Sequence, residues 1–208
     1  MQGPSPPELA TTPDAVQGNA VEHRLRLIGA MAALLAEKGY STVTIADIAR
    51  QAHVSKRTFY EHFADKDACF IACYETLSNM VLQSIVDAMS ADVPWAKKWR
   101  ASTKAYLSTL ESQPALTRTL MMDIYAAGPQ ALQVRRQVLR RFADNLRRVV
   151  DQGRRENPKL PRLSQAMATA IIGGINELVL VAVEEGRADR LTELSGTAEA
   201  LLQAVLGL

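Results

Sequence analysis

Aromatic residues are scarce in this 208-residue chain, at 5% of the composition, and no stretch alternates apolar and polar side chains as a half-buried strand would. With 48% hydrophobic residues, and Ala, Leu, Val and Arg recurring at helical spacing, an all-α protein is expected and a sheet protein excluded. Cysteine is nearly absent. Cys69 and Cys73 fall four apart within one expected helix, so they can staple nothing distant, and they point to a reduced, cytoplasmic protein. An excess of one charge is lacking too: 24 Lys+Arg against 22 Asp+Glu leave a formal net charge of +2, so any nucleic-acid surface must be local.

Other absences remove further classes. The first twenty residues carry four prolines, no Lys or Arg and no apolar run, which argues against a signal peptide or a minor-groove arm and for a disordered leader over 1–20. The most apolar later segment, Ala166 to Val183, is interrupted by Asn176 and Glu177, so burial against protein is expected rather than a membrane span. His23, His53 and His62 do not combine with the cysteines at metal-ligand spacing, and no phosphate-cradling glycine loop or nucleophile elbow occurs. No enzyme, cofactor or metal site is expected.

What is present reads as about nine helices. The first runs from about Val21 to Lys38, with Leu27, Ile28, Met31, Leu34 and Leu35 on one face and Gly39 as its stop. Thr44 and Ser55 are N-caps of two short helices, and Asp65 caps a long one from Lys66 to about Met89. Pro94 and Pro114 open the next two, the second reaching Ala127. Gly128-Pro129 precedes a seventh helix to about Arg155, an eighth spans Ser164 to Glu185, and a ninth follows Leu191.

The two short helices, 44–51 and 55–63, joined by Ala52-His53-Val54, have the spacing of a DNA-binding helix-turn-helix. Ile45, Ile48, Ala49, Val54 and Phe59 suit its core, leaving Lys56, Arg57, Thr58, Tyr60 and His62 outside. Lys and Arg neutralise phosphates or fork onto guanine, Thr, Tyr and His donate to phosphate oxygens, and the helix N-terminus favours an anion. A solvated surface helix pair is the plainer reading of the same residues.

The run GYSTVTIADIARQAHVSKRTFYEHFADKDACF, Gly39 to Phe70, resembles the signature of the tetracycline-repressor-like (TetR) family, and the likeness extends over roughly 24–75. That resemblance implies a three-helix DNA-binding domain over 21–66 and a helical ligand-binding and dimerisation domain over 67–208. It places Thr44, Ser55, Lys56, Thr58, Tyr60, His62 and Lys66 on the phosphate backbone of operator DNA, with Arg57 nearest the base edges. His53 stands where Gly is usual in the turn, and Arg57 where Gly is common; Tyr40 is expected to pack in the core.

Beyond residue 75 the resemblance fades and composition guides the reading. Trp95, Trp99 and Tyr106 share a helix face, Met121, Met122 and Tyr125 cluster on the next helix, and with Phe142 they suit either an adaptable apolar pocket or plain core. Asn176 and Glu177 need a partner, solvent or a ligand; a pocket-facing Glu177 would favour a cationic effector. Ile172, Ile175, Val179 and Val183 of the eighth helix, with Leu194, Ala198, Leu201 and Val205 of the ninth, form a stripe expected to pair two copies as a homodimer. The expected function is a ligand-responsive repressor released from a palindromic operator by a small hydrophobic effector. An effector-independent or activating regulator is the alternative, and a helical protein-interaction module without DNA binding is the rival class.

Overall fold

The computed structural model describes residues 13–90 and 94–207, and among these the secondary structure is helical throughout. Nine α-helices follow in order: α1 (Pro13–Lys38), α2 (Ile45–Gln51), α3 (Lys56–His62), α4 (Lys66–Met89), α5 (Trp95–Glu111), α6 (Pro114–Asp123), α7 (Gly128–Glu156), α8 (Gln165–Glu184) and α9 (Ser195–Leu206). Short 3-10 turns at Tyr40–Thr42 and Leu191–Leu194 precede α2 and α9. Helix α1 starts at Pro13 rather than Val21, so the expected disordered leader does not extend to residue 20. Proline suits a first helical turn, where its missing N–H is no loss. Residues 1–12 of that leader lie outside the described part.

Local chemistry explains the boundaries. Gly39 leaves α1 with φ 74, a left-handed conformation that strains side-chain-bearing residues. At α2 a reciprocal capping box forms: the Asp47 N–H donates to Thr44 Oγ1 at 3.2 Å, and the Thr44 N–H to Asp47 Oδ2 at 3.1 Å. Ser55 accepts from the Thr58 N–H at 3.0 Å, Asp65 from that of Ala68 at 2.7 Å, and Ser164 from that of Met167 at 3.1 Å. Helix α6 stops at Asp123, short of Ala127, and a turn of Ile124 to Ala126 leads into α7.

Packing does not respect a boundary at residue 66. One core joins Leu27, Met31 and Leu35 of α1, Ile48, Phe59 and Phe70 to Leu116 of α6, Ile124 and Ala131 of α7. A second gathers α5, α7, α8 and α9 around Ile171, Val150 and Ala198, and a third sets Leu107 against Val179, Val183 and Leu191. Helices α4 and α8 are long and apolar enough to span a bilayer, with mean hydropathies of 1.2 and 1.9. Here they are packing elements: Phe70 and Cys73 of α4 and Ile171 and Val179 of α8 are buried between helices.

Trp95, expected at a pocket, is a strut instead. Its indole Nε1 donates to the Val149 carbonyl at 2.9 Å and lies flat on Gly153, where a Cβ would fall 2.4 Å from the ring. Gly153→Ala must therefore push the indole off α7. A loss of about 1–3 kcal/mol is expected, the cost of overpacking a filled site, and a thermal melt of the variant against wild type measures it.

Candidate functional site

Helix α3 buries Phe59 completely and turns Lys56, Arg57, Tyr60 and Glu61 outward. Tyr60 is 57% exposed, braced edge-on against Phe59. Arg57 makes a single exposed ion pair, Nε to Glu61 Oε1 at 3.3 Å, with 91% of its side chain in solvent. A pair this open contributes little and leaves the guanidinium free to move. Lys56 has no ion pair among the described residues. The Ser55 and Thr58 hydroxyls lie 3.0 Å apart at the α3 N-terminus, and Thr44 is exposed at that of α2.

Two expected contacts are differently placed. His62 is half-buried and faces His23 of α1, ring centroids 6.3 Å apart, so it leans toward the protein. Lys66 donates from Nζ to the Tyr40 carbonyl at 3.1 Å and stands 4.1 Å over the Tyr40 ring. Its ammonium is held by the loop before α2, with donors to spare. His53 adopts φ 54 and is exposed, filling the turn position where Gly would be the easy choice. Glu61, an acidic group on the outer face, went unnoticed in the sequence, although its i,i+4 spacing from Arg57 was a usable signal.

Tyr40 is core, as its sequence context suggests, and more than core. Its ring meets Phe70 at 4.6 Å, its hydroxyl bonds Asp67, and burial together with that carboxylate raises the phenol's pKa. Its N–H donates to Asp123 Oδ2 of α6 at 2.9 Å, and Thr119 of the same helix donates to the Leu35 carbonyl of α1 at 3.0 Å. No local pattern in the sequence could show either bond, because the partners lie more than eighty residues apart. Asp47 is held well below the usual carboxylate range by Lys38 first, then Thr44 and Arg50. The α1–α2 corner is thus an ionic clasp.

Among the helices of the second half lies a cavity of about 160 Å³, comparable to engineered ones that hold a benzene-sized molecule. Trp99, Tyr106, Met121, Phe142 and Asn176 line it, together with Tyr74, Leu77 and Val81 of α4 and Thr117 and Leu120 of α6. Four other expected pocket residues do not. Trp95 lies on Gly153, Met122 is 38% exposed, Tyr125 is 49% exposed beneath the Arg135 guanidinium, and Glu177 faces outward. Met122 and Glu177 follow Met121 and Asn176 by one residue and are turned about 100° away, whereas Trp95 lies a full turn before Trp99 at the start of α5 and Tyr125 falls in the turn after α6.

The eight residues expected to pair two copies are also placed otherwise. Ile175, Val179, Val183 and Ala198 are buried within the protomer, and Ile172, Leu194, Leu201 and Val205 pack against its cores. The most apolar stripe of each helix points inward, as the hydrophobic effect requires of a single chain. Exposed instead are Ala166, Met167, Ala170, Glu177 and Val181 on α8, and the small Gly196, Ala200 and Ala204 on α9.

With this geometry in view, known proteins can be compared. Residues 27–73 match the model of the bacterial regulatory proteins of the tetR family. Over that segment the chain is similar to the family. Over 86 residues it is 33% identical to the HTH-type transcriptional regulator HbdR of Aromatoleum sp., a stretch that is 41% of this chain and only 32% of HbdR. The fatty acid degradation regulator FadR from Bacillus halodurans superposes with a TM-score of 0.74 at 19% identity, covering 86% of this chain and 94% of that one. The transcriptional regulator FadR from Bacillus subtilis, solved in complex with stearoyl-CoA, gives 0.70 at 21% identity over 88% and 98%. These two likenesses establish a shared fold.

The two thiols, Cys69 and Cys73, are both free and buried. Burial pushes Cys69 and Cys73 up to about 12. A nucleophilic cysteine needs the thiolate and access. Native protein should therefore leave both thiols unmodified by a disulfide reagent near neutral pH, and both should react once denaturant is added. Rapid labelling of the folded protein would contradict this placement.

Proposed function

We propose that the chain is a DNA-binding transcriptional repressor that reads a palindromic operator as a homodimer and lets go when a small apolar effector enters the cavity. The exposed Lys56–Arg57–Tyr60 face of α3, inside the family-matched segment, carries this reading. In a protein of formal net charge +2, a compact set of donors on one short helix concentrates the contacts. Lys56, Ser55, Thr58, Tyr60 and Thr44 serve as phosphate anchors, Arg57 as base reader, and His62 and Lys66 hold α3 and the Tyr40 loop.

Release follows from shared helices. Helix α4 begins at the DNA-binding unit and lines the cavity with Tyr74, Leu77 and Val81; α6 lines it with Thr117, Leu120 and Met121 while Asp123 and Thr119 grip α1 and Tyr40. A ligand that fits only one arrangement of α4 and α6 shifts the separation of the two recognition helices. The stearoyl-CoA bound to a fold neighbour supports an effector role for this half of the molecule. Both copies meet through the outward faces of α8 and α9, where small residues permit close approach.

The reading is tested by a mobility shift with the promoter region beside the chain's own gene. Arg57→Ala should lose about 1–3 kcal/mol at one base pair and relax sequence preference. Lys56→Ala should weaken operator and random DNA alike and lower the salt slope by about 0.9. Equal losses on all sequences for Arg57→Ala would demote it to a phosphate anchor.

Pairing has its own test. Ala170 is exposed on the outward face of α8, so Ala170→Trp should leave the fold unharmed while obstructing a two-fold partner. Sedimentation should show a monomer with wild-type helicity. A dimer of wild-type affinity would move the interface away from α8.

A further inference from the structure

Among the described residues, the cavity's lining contains no Asp, Glu, Lys, Arg or His. A charged group brought into it would lose its hydration without any opposite charge to replace it, a cost of several kcal/mol in real proteins. The acidic residue that could have welcomed a cation, Glu177, points away from it. The tyrosines on the wall are neutral as well: burial pushes the Tyr74 hydroxyl up to about 12 and raises that of Tyr106.

Three hydroxyls on the wall are already employed. Ser102, Thr103 and Thr117 donate their hydroxyl hydrogens to the carbonyls of Lys98, Trp99 and Leu110 at 3.0, 3.1 and 2.7 Å. The hydroxyls of Tyr74, Ser78 and Tyr106 have no protein partner among the described residues, and neither do two amides, which can both donate and accept. Asn145 of α7 is 9% exposed and Asn176 of α8 is 8% exposed, both line the cavity, and neither amide is hydrogen-bonded to another protein group among the described residues. A buried primary amide left without partners costs free energy, and protein interiors seldom keep two in one place unless something answers them.

We infer that the cavity is built for an uncharged, largely apolar effector bearing one amide-like group, which Asn145 and Asn176 recognise by donating to its carbonyl and accepting from its N–H. This rests on the cavity being the effector site. Carbon surface supplies the affinity, and the two amides supply the selection between neutral and charged versions of one skeleton. Free carboxylates and amines are rejected for lack of a counter-charge, as are phosphate-bearing portions of larger molecules.

Four probes of matched skeleton test this by calorimetric titration of the full-length protein at pH 7: 3-phenylpropanamide, 3-phenylpropanoate, 3-phenylpropylammonium and propylbenzene. The amide should bind about tenfold tighter than propylbenzene, as one to two net hydrogen bonds allow, and both ions should bind more weakly than the amide by at least that factor. Asn145→Leu and Asn176→Leu should each cut the amide's preference over propylbenzene severalfold while propylbenzene still binds. Both variants should melt close to wild type, so that a lost preference is not a lost fold. Ions that bind as tightly as the amide, or leucine variants that keep the amide preference, would overturn the inference and leave the effector site standing. Variants that melt lower would assign the two amides to packing and likewise overturn it. Binding of none of the four would bring down the effector site itself.

Discussion

Asp123 accepts the backbone N–H of Tyr40, and much of the molecule depends on that bond. Tyr40 follows the glycine that ends α1, where backbone groups have left one helix and not yet entered the next. Helix α6 satisfies them from eighty residues away, with Thr119 adding a second bond to the Leu35 carbonyl. The same corner holds Lys66 above the Tyr40 ring and Asp67 on its hydroxyl, so the starts of α2 and α4 are set by one aromatic residue. A helix that forms part of a cavity wall is thereby fastened to the base of the recognition unit.

The two ends of this connection use opposite physics. At the α3 surface, exposed charges in high dielectric are individually weak and mobile, as the Arg57–Glu61 pair shows, which suits groups that must exchange partners for phosphates and bases. Inside, the cavity is mostly carbon-lined and, among the described residues, uncharged, with the amides of Asn145 and Asn176 on its wall. There every unpaired dipole is costly, so small chemical differences in a ligand become large differences in binding. Between them runs a continuous core from Leu27 through Phe70 to Ile124.

Position along and around each helix decides which of the expected residues reach the cavity. Trp99 and Met121 reach the cavity while Trp95 and Met122 do not, although composition treats each pair alike. The stripe Ile175, Val179 and Val183 is the most hydrophobic line on α8, and for that reason it was spent on the protomer's own core. Glu177, beside Asn176 in sequence, faces the other way.

Sequence alone determined the features that arise within a few residues: the all-helical class, the nine helices and most of their boundaries, the caps at Thr44, Ser55 and Asp65, the helix-turn-helix, and the exposed donors of α3. Capping bonds and apolar periodicity act over one or two turns, so they are written locally. Tertiary structure decided the rest. Which face of α5 to α9 meets the cavity, how α6 grips Tyr40, and which residues of α8 stay outside depend on helices distant in the chain choosing one mutual packing, and no short stretch of residues carries that choice.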